Sequence, residues 1–333
     1  ARGGNAMRKL IVVTTLVLLA ACGRGQDAAP VPVNAATPVV YSVNYPLAWM
    51  ALALAGDSAQ VVFPAPRDVD PAFWQPDVDT LMRFQQADLV LLNGAGYARW
   101  VAKASLPASR LVDTARSYAD ELIVVDEGPM HSHGPKGEHS HGTLAFTSWL
   151  DLTLAKQQAE TVAGALQALL PARSSVIQQS LQELQRKLAQ WDAQLLELGR
   201  QLGAQPVLYS HPVYQYLQRR YGFNGHALHW EPDQEPDAGQ WQALAELRQT
   251  HPAKLMLWEA APLPQVASRL EQMGVSVVVF APMGNQPLQG DFETGMANNI
   301  AGLRGAIEAF SASGAILSVA DRQAWRRSDS EWK

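Results

Sequence analysis

The chain has 333 residues, of which 47% are hydrophobic and 17% charged, and its net charge is -5 at pH 7. This composition is typical of a globular protein with one large or two ordinary domains, and the acidic balance without a basic stripe argues against nucleic acid as a partner. The single cysteine excludes a disulfide framework and a thiolate metal site.

The N-terminal region carries the pattern of a lipoprotein signal peptide. Met7 is interpreted as the start, and two basic residues precede an apolar run, residues 10–21, that is too short to span a bilayer. The run ends in Leu-Ala-Ala before Cys22, which is a lipobox pattern in which the thiol accepts a diacylglyceryl group. We therefore expect residues 1–22 to be leader and signal peptide with lipid attachment at Cys22. A plain signal peptide is the alternative.

The segment after Cys22 is predicted to be a flexible tether. Residues 23–37 are rich in Ala, Pro and Val and show little pattern. Gly23 stands where an aspartate often retains lipoproteins on the inner membrane, so the choice between inner and outer membrane is open. The protein is expected on the periplasmic side of a bacterial membrane, and residues 313–333 are predicted to be a C-terminal tail.

Strand-like runs alternate with helical patterns in two halves of the chain, which indicates parallel sheets covered by helices. The predicted fold is α/β, with two lobes that each contain a mostly parallel four-stranded sheet flanked by helices. The N-terminal lobe covers residues 38–170 and the C-terminal lobe residues 204–312. The predicted strands are 38–43, 60–63, 88–92, 110–112, 122–125, 207–210, 225–229, 254–258 and 275–280, and the predicted helices include 46–55, 212–221, 238–250, 263–273 and 294–310.

An apolar seam with alternating spacings of four and three lies between the two halves. Its members are Ile177, Leu181, Leu184, Leu188, Trp191, Leu195, Leu198 and Leu202. This spacing predicts one face of a helix of about 30 residues, roughly 45 Å long, with Pro171 in its first turn and Gly203 past its end. We interpret residues 171–203 as a spine helix that joins the lobes of a monomer. The alternative is a coiled-coil dimer, which usually needs more heptads and charged flanks.

Several short segments together resemble the solute-binding receptors of zinc and manganese ABC importers, the TroA-like (cluster A-I) group. In chain order they are Asn44-Tyr45-Pro46-Leu47-Ala48, Asp70-Pro71, Ala87-Asp88-Leu89-Val90, Asn93-Gly94, Trp149-Leu150-Asp151, Ser210-His211, Arg219-Arg220-Tyr221-Gly222 and Glu235-Pro236. The resemblance covers about residues 38–312. It implies two α/β lobes joined by one long helix, a metal held in the cleft between them, and an ABC permease as partner.

The resemblance also implies a ligand set of three histidines and one carboxylate, which suits zinc or manganese. This chain departs from that set at three positions, where Ala72, Thr147 and Ala281 stand. His211 is the one expected ligand that is kept. Because one imidazole cannot hold zinc with useful affinity, the sequence predicts a divergent member whose site is degraded or rebuilt.

Three further side chains are candidates for a rebuilt site beside His211. His229 and Glu231 follow one predicted strand and Glu259 ends the next, at the strand ends where open α/β sheets bind ligands. Together the four would offer two imidazoles and two carboxylates to zinc or another divalent transition metal, as the transported ligand. Each also has an ordinary structural interpretation as a helix cap or a strand residue.

Four tryptophans, Trp74, Trp149, Trp230 and Trp258, lie near predicted strand ends or cleft walls. A cleft lined by aromatic rings and carboxylates suits an organic or chelated-metal ligand better than a bare ion. Most tryptophans in a protein with ten of them are nevertheless expected in the core, and we expect this of at least two of the four.

A histidine-rich loop is predicted over residues 127–142. It carries four of the eight histidines, His131, His133, His139 and His141, among Gly, Pro and Ser. Imidazoles on such a loop are expected to bind zinc, copper or nickel loosely, as a scavenger. A disordered spacer is the alternative.

The sequence as a whole predicts an extracytoplasmic substrate-binding lipoprotein of a metal ABC importer that captures a metal ion between two lobes. No glycine-rich phosphate loop, nucleophile elbow or metalloprotease helix motif is present in the sequence, so we expect no enzymatic activity. Two alternatives are open: a divergent paralogue that binds a metal complex or small organic ligand, and an adhesin-like surface lipoprotein with a vestigial cleft.

Overall fold

A computed structural model describes residues 37–125, 131–132, 138–139 and 144–312, with the backbone alone for 131–132 and 138–139. These residues belong to one compact unit that begins at Thr37. The predicted lipid site Cys22, the tether and the C-terminal tail lie outside the described residues. None of the described helices combines the length and the apolar character that crossing a membrane requires.

The first sheet is formed by four parallel strands in the order β2-β1-β3-β4. Its helices begin where side chains cap them: Asn44 accepts the N–H of Leu47 at the start of α1, and Asp151 accepts that of Thr153 at the start of α3. The elements are β1 (Val39–Ser42), α1 (Tyr45–Ala55), β2 (Gln60–Val62), α2 (Val78–Gln86), β3 (Leu89–Leu92), β4 (Leu111–Asp113), the short antiparallel pair β5 (His131–Ser132) and β6 (Glu138–His139), and α3 (Leu152–Leu169).

The second sheet repeats the plan, with four parallel strands in the order β10-β9-β7-β8. A capping box between Asp237 and Gln240 begins α6. The elements are α4 (Ser174–Leu202), β7 (Pro206–Tyr209), α5 (Gln215–Tyr221), β8 (Asn224–Ala227), α6 (Ala238–Thr250), β9 (Leu255–Trp258), α7 (Pro264–Gln272), β10 (Ser276–Val279) and α8 (Phe292–Ala312). The predicted fold class, two four-stranded parallel sheets with flanking helices and one long helix, is confirmed.

The long helix α4 packs within its own chain. All eight residues of the predicted seam are buried, and α4 packs against α1, α3, α5 and α8. Trp191 on this seam lies 6.0 Å from the ring of Trp49 on α1 and 6.5 Å from that of Phe292 at the start of α8. A short 3-10 turn, Pro171–Arg173, precedes the helix, and Gly203 with φ 60° follows it. Because the seam is covered from inside the molecule, the coiled-coil alternative is not needed to explain it.

One predicted strand of the first lobe, residues 122–125, is wrong. In this stretch Val124 makes only an isolated antiparallel bridge to Leu144. The N–H of Ile123, which a ladder would use, instead donates to the hydroxyl oxygen of Tyr216 at 3.1 Å. The predicted helix over 212–221 is also shorter than expected, since α5 begins at Gln215. Both differences arise where the second lobe contacts the first.

Candidate functional site

The four candidate ligands lie at the carboxyl ends of three neighbouring parallel strands. His211 follows β7, His229 and Glu231 follow β8, and Glu259 follows β9. Because these strands are adjacent in the order β9-β7-β8, their carboxyl ends meet at one edge of the second sheet. All four residues line one cavity of about 690 Å³ between the two lobes.

His211 and Glu231 lie close together on this wall. The His211 Nε2 atom lies 3.5 Å from Glu231 Oε1, and the two side chains are 4% and 18% exposed. The segment that carries Glu231 is fixed to β7, because the N–H of Trp230 donates to the Ser210 carbonyl at 2.8 Å. The ring of His229 is perpendicular to that of His211, 6.0 Å away between centroids. In the part of the chain that the structure describes, no three His, Cys, Asp or Glu side chains are grouped closely enough to hold a metal.

The opposite wall comes from the first lobe and is largely aromatic. Phe73, Tyr97, Phe146 and Trp149 line it together with the carboxylate of Asp70. The rings meet edge to face: Phe73 and Phe146 at 6.2 Å, Tyr97 and Phe146 at 5.2 Å, and Tyr97 and Trp149 at 6.0 Å between centroids. This chain of edge-to-face contacts is the packing that aromatic rings prefer. The cavity therefore has a polar wall on the second lobe and an aromatic wall on the first.

Tyr97 and Gln215 each place on the cavity wall a buried polar group that has no hydrogen-bond partner among the described residues. The two groups are the hydroxyl of Tyr97 and the side-chain carbonyl oxygen of Gln215. Burial, and secondarily the nearby charge of Asp70, raises the pKa of Tyr97 well above its ordinary value, so this phenol stays protonated. Tyr97 thus offers a donor and Gln215 an acceptor to a bound ligand.

The three positions where the resemblance implies ligands are filled by residues engaged in the fold. The Ala72 N–H donates to Asp70 Oδ1 at 2.8 Å, and the Thr147 hydroxyl donates to the Val213 carbonyl at 2.6 Å. Asn299 binds both backbone groups of Ala281, its Oδ1 accepting at 2.9 Å and its Nδ2 donating at 2.8 Å. At each of the three positions where this chain departs from the family's ligand set, the residue present therefore takes part in the hydrogen bonds of the fold.

The lobes are joined along one side of the cavity. Asn285 donates from Nδ2 to the carbonyls of Pro66 and Val69, at 2.6 and 2.8 Å. The indole N–H of Trp149 donates across to the Pro282 carbonyl at 2.7 Å. Between these contacts Met283 adopts a φ of 57°, a left-handed conformation that is unusual for a residue other than glycine. The strained backbone therefore lies directly on the cavity wall.

The remaining candidates divide between core, cavity and the part outside the described residues. Trp230 and Trp258 are buried in the core of the second lobe, Trp74 packs half-buried against the main core, and Trp149 lines the cavity. The expectation that at least two of the four tryptophans are core residues is confirmed. The side chains of the four loop histidines, His131, His133, His139 and His141, lie outside the described residues.

Sequence reasoning missed the aromatic wall apart from Trp149. Phe73, Tyr97 and Phe146 come from three separate loops and follow no period, so no pattern joins them in the sequence. Tyr97 follows the Asn-Gly segment quoted for the resemblance, and its position between Ala95 and Ala98, both with positive φ, becomes evident only in three dimensions. The sequence alone therefore carries only a weak signal for this aromatic wall.

Comparison with known proteins gives a consistent set of relatives. Residues 39–306 match the model of the family described as ZnuA, zinc-uptake complex component A, periplasmic. The zinc-binding lipoprotein AdcA of Streptococcus pneumoniae is 23% identical over 250 residues, which is 73% of this chain and 50% of AdcA. The manganese ABC transporter substrate-binding lipoprotein PsaA of Streptococcus anginosus is 25% identical over 251 residues, 72% of this chain and 77% of PsaA.

Solved structures share the fold at low sequence identity. The metal-dependent lipoprotein YcdH of Bacillus subtilis superposes with a TM-score of 0.68 and 19% identity, covering 80% of this chain and 98% of YcdH. At this low sequence identity, the structural similarity shows a common fold only. The chain spans about half the length of AdcA, so what AdcA does as a whole protein does not transfer directly.

Proposed function

Because the chain belongs to the ZnuA family of periplasmic zinc-uptake components, we propose that it is the extracytoplasmic substrate-binding protein of a zinc- or manganese-type ABC importer. Its cargo is a divalent transition metal, taken up in the cavity between the lobes and passed to a permease. The similarity to AdcA and PsaA supports this class of cargo.

The observation that carries the proposal is the pairing of His211 with Glu231. In a tetrahedral zinc site with bonds of about 2.0–2.2 Å, neighbouring ligand atoms lie about 3.3–3.5 Å apart. The 3.5 Å between His211 Nε2 and Glu231 Oε1 matches one edge of such a tetrahedron. An imidazole and a carboxylate are also a suitable donor pair for zinc or manganese.

His229 and Glu259 are proposed as the further protein ligands of this site. Both line the same cavity as the pair, and His229 needs a change of side-chain torsion to bring its ring toward the ring of His211, now 6.0 Å away.

Calorimetric titration of the full chain in detergent tests the site. The four loop histidines are changed to alanine first, so that zinc or manganese bound there does not contribute. We expect one metal per chain, and at least a tenfold loss of affinity (about 1.4 kcal/mol) in His211→Ala and in Glu231→Gln. His251→Ala, a histidine outside the cavity, is the matched control and should bind as the parent does. If metal binding is the same in His211→Ala as in that control, the proposed site is wrong.

The membrane anchor is a second part of the proposal. Attachment through Cys22 would hold the protein, as a monomer, on the periplasmic side of a membrane near a permease. The names of AdcA and PsaA as lipoproteins support it. Metabolic labelling with a fatty-acid analogue should mark the parent chain and leave Cys22→Ser unlabelled, whereas equal labelling of both would contradict this anchor. Fractionation of labelled cells then distinguishes inner from outer membrane.

A further inference from the structure

The protein supplies half of a coordination shell in a preformed arrangement. His211 and Glu231 occupy one edge of a tetrahedron, and both are held by the fold on the second lobe. Among the described residues no third His, Cys, Asp or Glu completes a group around them. A bare ion would draw its remaining protein ligands from His229 and Glu259 by a rearrangement of the cavity wall. With both side chains as they stand, two positions on a four-coordinate metal are left for other donors, and a ligand that carries the metal can provide them.

The space beside this pair is far larger than an ion requires. The cavity measures about 690 Å³. A metal ion with two waters would fill on the order of 100 Å³, since each water takes about 30 Å³. Cavities of about 300–1,000 Å³ are the usual size for small organic ligands. The volume therefore fits a metal together with an organic molecule.

The wall that faces the pair is suited to aromatic rings. Phe73 and Phe146 line it without any polar atom, and Tyr97 and Trp149 continue the same surface. The buried Tyr97 hydroxyl and Gln215 carbonyl oxygen add one donor and one acceptor that the described residues leave unused. An aromatic molecule with a small number of polar groups would cover this wall and satisfy both.

The charged side chains that line the cavity determine which ligand charge it favours. Among the described residues, four carboxylates line it, those of Asp68, Asp70, Glu231 and Glu259, against one guanidinium, that of Arg67. That guanidinium already donates to the Pro287 carbonyl at 3.3 Å. An anionic chelator such as a polycarboxylate would be repelled, whereas an uncharged chelator leaves the complex with the positive charge of its metal.

From these observations we infer that the cavity takes its metal as a cationic complex with one bidentate, uncharged, aromatic chelator. The metal binds His211 and Glu231, and the chelator lies between the metal and the aromatic wall of the first lobe. This inference rests on the proposed function, because it specifies the form in which the same site receives the metal.

The 1:1 complex of zinc with 1,10-phenanthroline is a suitable probe, since it is cationic and aromatic and leaves coordination positions open. The full chain in detergent, with the four loop histidines changed to alanine, is mixed with zinc chloride, phenanthroline, their 1:1 complex or zinc citrate and passed through gel filtration. We expect zinc and the phenanthroline absorption band to elute with the protein in equal amounts. Calorimetry should give at least tenfold tighter binding for the complex than for zinc chloride or zinc citrate, and no binding of phenanthroline alone.

Variants on the two walls separate the contributions. Phe73→Ala, at a half-buried position, should weaken binding of the complex about tenfold and weaken binding of zinc chloride much less, and Phe146→Leu should act in the same direction. Phe223→Leu, which changes an aromatic residue outside the cavity, is the control for folding.

The outcomes distinguish this inference from the proposed function. If zinc chloride binds as tightly as its 1:1 phenanthroline complex or more tightly, and this binding is lost in His211→Ala, the site takes a bare ion and the inference is overturned while the proposed function stands. If neither zinc nor its complex binds in a way that depends on His211, the proposed metal site fails as well.

Discussion

Arg220 on α5 makes a two-pronged ion pair with Asp192 in the long helix α4, with Nε–Oδ1 at 3.0 Å and Nη2–Oδ2 at 2.7 Å. The Tyr221 hydroxyl donates to the same carboxylate at 3.1 Å. Hydrogen bonding to Asp192 is the main reason that the pKa of Arg220 is raised. Arg220 also lies 3.9 Å from Asp151, the residue that caps α3. One guanidinium thus connects the spine, the first lobe and the second lobe.

We predict that Asp192→Ala lowers the free energy of unfolding by about 2–3 kcal/mol. The substitution leaves the Arg220 guanidinium and the Tyr221 hydroxyl without their shared acceptor in a largely buried place, and removing one partner of such a pair is costly. Urea denaturation followed by circular dichroism measures the change. The control is Lys187→Ala, which breaks the pair with Glu293 between half-exposed side chains, and should cost less than about 1 kcal/mol. Equal effects of the two substitutions would contradict the prediction.

A second prediction concerns the close approach of α4 to the end of α5. A Cβ added at Gly199 would overlap the carbonyl oxygen of Tyr221, which is backbone and cannot turn aside. Gly199→Ala should therefore lower the free energy of unfolding by about 1–3 kcal/mol, although alanine is the better helix former. Gly305→Ala, in α8 with open space around its Cα, should raise it by about 0.5–1 kcal/mol. Melting curves of both variants check the opposite signs, and a stabilised Gly199→Ala would show that the helices can separate without cost.

The helix α4 illustrates what could be predicted from the sequence. Its seam has a period that only a helix satisfies, and every seam residue is buried as expected. The strands were also found, because short β-branched runs between helices indicate parallel sheets. Residues 122–125 have the same local character, but the N–H of Ile123 donates to the Tyr216 hydroxyl of the second lobe and not to a neighbouring strand. The local sequence pattern cannot show that a side chain from the other lobe takes the place of a neighbouring strand.

The candidate site divides in the same way. The sequence was enough to predict that the four candidate ligands lie at one edge of the second sheet, because the carboxyl ends of parallel strands converge there. They are His211, His229, Glu231 and Glu259. Distances such as the 3.5 Å between His211 and Glu231 depend on backbone details after each strand and could not be predicted. The aromatic wall depends on three loops of the other lobe, and its relation to these strands is set by packing across the whole molecule.

The pH dependence of stability provides a third prediction, centred on His226. Burial, and secondarily the neighbouring His251, lowers the pKa of His226 below its ordinary value. The unfolded chain therefore takes up a proton at this residue at a higher pH than the folded chain does. Stability should fall as the pH drops below about 6.5, and the loss should be complete below the folded pKa. Since this burial is partial and solvent still reaches much of the side chain, the effect is small.

Comparison of His226→Asn with the parent tests this sign. Between about pH 7 and pH 5, the melting temperature of the asparagine variant should fall by less than that of the parent. Thermal unfolding followed by circular dichroism at several pH values, without added metal, gives the slopes. A steeper slope in the variant would mean that His226 is stabilised in its charged form, contrary to its lowered pKa.

The last prediction places a third ligand beside the pair formed by His211 and Glu231. Thr147 lies on the cavity wall, and its hydroxyl bonds to the carbonyl of Val213, two residues after His211. Thr147→His should give up that hydrogen bond, at about 1 kcal/mol, and bring an imidazole to the pair. With one more imidazole beside the pair, zinc chloride should bind at least tenfold more tightly than to the parent carrying the same four loop-histidine substitutions.

Thr147→Leu is the matched control, because it loses the same hydrogen bond and adds no donor. Titration calorimetry of both variants with zinc chloride should therefore show a gain for histidine alone. The phenanthroline complex should lose affinity in Thr147→His, since the new imidazole takes one coordination position and part of the space that the chelator would occupy. If Thr147→His and Thr147→Leu bind zinc equally, residue 147 is out of reach of the metal. Tighter binding of zinc chloride together with weaker binding of the phenanthroline complex would indicate that the missing imidazole at position 147 decides which form of the metal the cavity accepts.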